Sequence, residues 1–103
     1  DIEKSGQTHI QKAKDIFQFL KMKIIYMNSE EHDKHIAWIS HLPHVISYSL
    51  ANSVMAQEER EAILNLSAGG FRDMSRLAKS SPKMWRDIIQ QNRNNLLESI
   101  SYF

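Results

Sequence analysis

His41 and His44 stand one helical turn apart in the stretch ISHLPHV (39–45), close enough for both side chains to address one ligand. Two imidazoles at that spacing can bind a metal, contact an anion, or be satisfied by neighbouring helices. A metal site needs further ligands, and His32 and His35 project from nearly the opposite side of the same ideal helix. Pro43 lies between the pair. It deletes the hydrogen bond its amide would give to the Ile39 carbonyl, at a cost of about 3 kcal/mol inside a helix. The expected result is a kink that leaves a free carbonyl beside two histidines. Such a kink is either a bend for packing or the wall of a pocket.

A second constellation is AGGFRDMSRLAKSSP (68–82). Gly69 and Gly70 allow the backbone to bend and to approach a ligand closely. Arg72 and Arg76, four residues apart, place two guanidinium groups on one face of a short helix, with Asp73 near enough to restrain one. Arginine grips carboxylates bidentately, as lysine does not. Pattern alone leaves an anion site and a solvated face with a surface ion pair worth about 0–1 kcal/mol equally open. No GxGxxG follows a strand, so no dinucleotide site is legible, and no Ser-His-Asp order is credible. Trp38 and Trp85 are expected in the core.

These residues must be positioned by helices, because three glycines and two prolines leave few breaks in 103 residues. Residues 7–21 space Ile10, Ala13, Phe17 and Leu20 as an amphipathic helix. MKIIYM (22–27) reads as a strand, which cannot satisfy its backbone alone. Asn28, three residues before Glu31, is a capping-box start for a long helix reaching about Ala56. Ile36, Ile39, Leu42, Val45, Ile46, Leu50 and Val54 cover more than half its circumference, so it should be central to a bundle. Asp33, Ser40, His44 and Ser47 form the remaining polar stripe, with His41 at its edge. Residues 57–66 suggest a shorter helix, FRDMSRLAKS another, and Ser81-Pro82 starts a last one carrying Met84, Ile88, Ile89, Leu96, Leu97 and Ile100. Gln91, Asn92 and Asn95 make the middle of that last helix unusually polar.

Thirteen basic and twelve acidic residues give no electrostatic footprint for nucleic acid, and no apolar run approaches a membrane span. Absence of cysteine excludes disulfides and thiolate metal sites and fits a cytoplasmic protein. The chain begins at Asp1 rather than at methionine, which suggests a fragment of something longer.

The stretches EEHDKHIAWISHLPHVISYSLAN and GGFRDMSRLAKSSPKMWRDIIQQNRNNLLESI together resemble the C-terminal helical domain of the prephenate dehydrogenase family, including its arogenate and cyclohexadienyl members. A weaker match covers Thr8, Ala13 and the IIYMNSEEHD junction. Ala68 stands where the family has a third glycine, Ser75 where it has a threonine, and Asn28-Ser29 where Ser-Pro is usual; the glycine usual before the strand is missing from LKMKI.

The resemblance implies a mainly α fold: a helical bundle on a long central Pro-kinked helix, forming an intertwined homodimer. Residues 1–27 would be a helix and strand closing a missing Rossmann domain, and 28–103 the dimerisation and substrate-binding domain. The full-length enzyme would oxidatively decarboxylate prephenate to 4-hydroxyphenylpyruvate with NAD or NADP, in tyrosine biosynthesis. The N-terminal domain would bind that cofactor and hold the catalytic residues, so this chain alone should bind none and be inactive. His44 matches a substrate-facing position and His41 its supporting neighbour. Arg76 matches the carboxylate-pairing arginine and Arg72 a basic interface position. The Gly69–Gly70 turn borders a pocket where tyrosine can compete. The alternatives are a purely structural association module without ligand, or an arogenate dehydrogenase domain.

Overall fold

Residues 3–103 are described by the computed structural model, so the first two positions of the 1–27 unit lie outside it. Helix α1 (Gln7–Phe19) ends with Lys21 in the left-handed region at φ 55°. The Lys21 and Met22 amides donate to the carbonyls of Gln18 and Phe17, each at 2.9 Å, which is the Schellman closure. Glycine usually fills that position, so Lys21 adopts it at a cost of about 1 kcal/mol. The missing glycine of LKMKI is the same place in the chain.

The strand expected over Met22–Met27 is not formed: there is no strand among the described residues. Its amides and carbonyls meet no second strand in this chain, and a ladder needs one. Ile24 instead half-buries against α1. Ile10, Ala13, Phe17, Ile24, Ile25 and Tyr26 border a cleft of about 310 Å³, and the Lys14 ammonium lies 5.4 Å from the centre of the Tyr26 ring. The amphipathic face of α1 is otherwise open, and α1 shares no packed interface with the later helices.

Asn28 closes the expected capping box. Its Oδ1 accepts from the Glu31 amide at 2.8 Å, and Glu31 Oε2 accepts from the Asn28 amide at 3.3 Å. From there α2 (Ser29–Ile36), a π-helical segment (Ala37–His41) and α3 (Leu42–Met55) follow without a gap. The distortion expected at Pro43 takes the form of that π segment, in which the Leu42 amide donates to the Ala37 carbonyl five residues back. A wider turn is one way for a helix to pass a proline that lacks its own donor. The next carbonyl along, that of Ser40, is engaged by a histidine: His44 Nδ1 lies 2.9 Å from its oxygen.

The remaining elements are α4 (Arg60–Asn65), α5 (Gly69–Ser75), a 3-10 turn (Arg76–Lys79), α6 (Pro82–Gln91) and α7 (Arg93–Tyr102). Ser81 caps α6, its Oγ accepting from the Met84 amide at 3.4 Å with Pro82 at the first turn. The single last helix expected after Pro82 is divided at Asn92, where the backbone departs to φ −112° and ψ 31°. The central rod packs against α5, the 3-10 turn and α7.

What it buries there reverses the sequence expectation. Ala37, Leu42, Trp85 and Leu96 are interior, and with them the polar His41, Ser47, Asn92 and Ser99. Ser47 is only 1% exposed, whereas Ile39 is 75% exposed. Trp38 also departs from expectation: it stands on the open side, 5.7 Å from the Tyr102 ring. Leu42, Val45, Ile46, Leu50, Ile100 and Phe103 line an open groove of about 440 Å³. The radius of gyration is 18.5 Å over an envelope of 59 × 31 × 24 Å. A compact chain of this length has a radius near about 13 Å, so this chain leaves much of its apolar surface without an internal partner.

Candidate functional site

Two hydrogen bonds decide where the arginine-bearing segment sits. Ser47 Oγ accepts from the Ala78 amide at 2.9 Å, and the Tyr48 hydroxyl donates to the Ser80 carbonyl at 2.7 Å. Ser47 and Tyr48 follow His44 by about one turn, and Ala78 and Ser80 follow Arg76 by two and four residues. The polar stripe of α3 therefore tethers the Arg76–Lys79 turn next to the histidine pair. Each of these backbone groups would cost about 1–3 kcal/mol if buried without a partner.

The histidines themselves are held by the start of α6 and the α6–α7 joint. Trp85 is buried on the first turn of α6. His44 stacks on it with ring centres 3.4 Å apart and planes 20° from parallel. His41 meets the same indole nearly edge-on, at 5.9 Å and 78°. His41 is 7% exposed and its Nδ1 lies 3.2 Å from Asn92 Nδ2, while His44 is half-buried. Burial pushes the His41 imidazole below its ordinary 6.5; nearby Asp33 opposes this, and His44 and His32 reinforce it. His41 is thus the enclosed member of the pair, with its cationic form disfavoured. His44 is the one with surface to offer a ligand.

Arg72 and Arg76 are both exposed, and neither has an ion-pair partner among the described residues. Asp73 does not restrain either of them, contrary to the expectation from spacing. Arg76 is not enclosed in this chain, and neither the α1 cleft nor the α3–α7 groove includes it or His44. Gly69 and Gly70 occupy the first turn of α5 without positive φ, and a Cβ on either would meet nothing within 4 Å. No turn or close approach demands them here, so what they offer is bare backbone at an open helix start. They do not form the strand-to-helix phosphate turn of a dinucleotide site, since no strand precedes them among the described residues. Among the described residues no three histidine or carboxylate groups gather around a common metal position.

Sequence reasoning missed three contributors. Trp85 was assigned to the core, and it is buried, but as the platform of His44. Asn92 appeared only as an odd polar residue in a helix. Ser47 appeared as part of a stripe rather than as the tether of the arginine turn. The SPKMW start was the available signal for the first, since a cap at Ser81 fixes where a residue four positions later must fall.

A sequence model of the family described as prephenate dehydrogenase, dimerization domain, matches residues 28–103. A cyclohexadienyl dehydrogenase of Zymomonas mobilis is 41% identical over 91 residues, which are 86% of this chain and 31% of that protein. A prephenate dehydrogenase of Bacillus subtilis is 34% identical over 97 residues, 93% of this chain and 26% of that protein. Among solved structures, the prephenate dehydrogenase of A. aeolicus in complex with hydroxyphenyl propionate and NAD+ superposes with a TM-score of 0.80. It is 32% identical, covering 97% of this chain and 35% of that one. Synechocystis arogenate dehydrogenase superposes at 0.74 with 27% identity, over 93% of this chain and 36% of that one. The chain thus spans about a third or less of the length of the proteins it matches.

Proposed function

The chain belongs to the prephenate dehydrogenase family, of which it carries the dimerization domain, and from that footing we propose that its full-length protein is an NAD(P)-linked prephenate dehydrogenase. That protein would oxidatively decarboxylate prephenate to 4-hydroxyphenylpyruvate on the route to tyrosine, as a cytoplasmic homodimer. The cofactor and the catalytic residues would belong to an N-terminal Rossmann domain that residues 1–27 complete, and this chain by itself would be inactive. Its share of the work is to pair the subunits and to bind substrate.

The observation that carries the reading is His44. Its ring is stacked on Trp85 and anchored through Nδ1 to the Ser40 carbonyl, on the very helix to which the Arg76 turn is tethered. An oriented imidazole on the helix that tethers the turn of an unpaired guanidinium suits a hydroxylated dicarboxylate: Arg76 takes one carboxylate bidentately, and His44, whose Nδ1–H is used on Ser40, faces the substrate hydroxyl with its remaining nitrogen, which can accept. His41 supports His44 through the shared indole. Arg72 adds positive charge at the rim, and the bare backbone of Gly69–Gly70 borders the place where tyrosine, which shares the ring and a carboxylate with the product, would compete. Prephenate is preferred to arogenate because the B. subtilis relative and the structure with the higher TM-score are both prephenate dehydrogenases by name.

Steady-state kinetics of the full-length enzyme test this. Arg76→Ala should raise the KM for prephenate by about tenfold or more, with the KM for the nucleotide nearly unchanged, since only one ion-paired contact is lost. Equal loss for both substrates would contradict the assignment.

A further inference from the structure

Asn92 breaks the run from Pro82 to Tyr102 into two helices, and it is buried at the joint. The substrate contacts described above do not use it. Its carboxamide has one admissible orientation. The Asp33 backbone oxygen lies 2.6 Å from Nδ2 and can only accept, so that end is the amide nitrogen. At the other end, Asn95 Nδ2 donates to Asn92 Oδ1 at 2.7 Å. The second hydrogen of Asn92 Nδ2 then faces His41 Nδ1 at 3.2 Å. That ring nitrogen must present its lone pair, and the neutral imidazole carries its proton on Nε2. His44 is fixed the opposite way, because its Nδ1 faces a carbonyl oxygen at 2.9 Å and must carry a proton. Two histidines on one indole are thus held as unlike tautomers.

We propose that Asn92 is a positioning residue acting through His41: clamped between the Asp33 carbonyl and Asn95, it holds His41 as the Nε2–H tautomer that supports the substrate-facing His44. The inference rests on the reading of His44 as a substrate contact. A protonated His41 would set its own Nδ1–H against the Asn92 N–H, two donors facing each other in a buried site. The titratable neighbours of His41 are Asp33, whose carboxylate favours the cation, and His44 and His32, which disfavour it. Asn92 therefore keeps His41 neutral by hydrogen-bond polarity as well as by burial.

Nitrogen NMR of isotopically labelled histidine in the full-length enzyme reads this directly, with the His41 signals assigned by their loss in His41→Gln. The wild type should show a bare Nδ1 and a protonated Nε2 near neutral pH. Asn92→Asp, which offers an acceptor in place of the donor, should protonate both nitrogens at the same pH. In kinetics, Asn92→Ala should raise the prephenate KM about tenfold while kcat and the nucleotide KM stay within about twofold. In a His41→Gln background the same change should add less than about twofold, because the residue it acts through is gone. A wild-type proton on His41 Nδ1, or an Asn92 effect undiminished without His41, would overturn the proposal. The wild-type spectrum decides the point even if the Asn92 variants do not fold. An enzyme inactive on prephenate would overturn the functional reading instead, while that spectrum still decides how His41 is held.

Discussion

The two sides of the long central rod are built from opposite chemistry. One side meets α5, the 3-10 turn and α7, turns His41 and His44 onto Trp85 of α6, and buries His41, Ser47 and the Asn92 carboxamide. The other side displays Ile39 and the groove lined by Val45, Ile46, Leu50, Ile100 and Phe103. Helices ordinarily turn the apolar side inward. Here the inward side is specified by directional hydrogen bonds, which tolerate little change in geometry, while the apolar side is left for area-driven association. In the proposed reading the polar side would serve the ligand site, where orientation matters, and the apolar side the partner subunit, where area matters.

Charge placed in the groove should break this division most severely. Ile46→Glu together with Leu50→Glu should abolish dimerisation of the full-length protein, since each buried carboxylate would cost several kcal/mol unless neutralised. Sedimentation would report the change, and a circular dichroism spectrum should remain helical because the polar side is untouched. Retention of the dimer would mean that the groove is not the subunit interface.

A smaller loss is expected on the polar side. Ser47→Ala removes the acceptor of the half-buried Ala78 amide and should destabilise the protein by about 1 kcal/mol in urea unfolding. It should also loosen the Arg76 turn and raise the prephenate KM. A change confined to stability would separate the tether from substrate binding.

The smallest effect concerns acid. The folded-state pKa of His41 lies below the unfolded value of 6.5, chiefly through burial. The stability this residue supports is complete above 6.5 and is lost as pH falls through 6.5 toward the depressed folded value. His41→Gln should flatten that part of the stability profile. An unchanged slope would mean that His41 titrates as it does in the unfolded chain.

The sequence made much of this legible where local chemistry decides the outcome. The capping box at Asn28, the Ser81-Pro82 start and the break before α5 are written in short-range residues, and each is present. Periodicity marked Ile39, Ile46 and Leu50 as apolar, but it carries no record of whether the covering surface comes from the same chain. The strand over 22–27 failed for a related reason, because β-propensity names a candidate and only a neighbouring strand completes it. The tautomer of His41 and the contacts made at the Asn92 break depend on which donor meets which acceptor across dozens of residues. Local patterns do not encode such meetings.

The central claim is that the apolar side of the rod belongs to a second copy of this chain. Light scattering of the full-length protein at micromolar concentration tests it most directly. A mass twice that of one subunit in the wild type, falling to a single subunit in Ile46→Glu/Leu50→Glu, is the predicted result. A wild-type monomer that still turns over prephenate would contradict it.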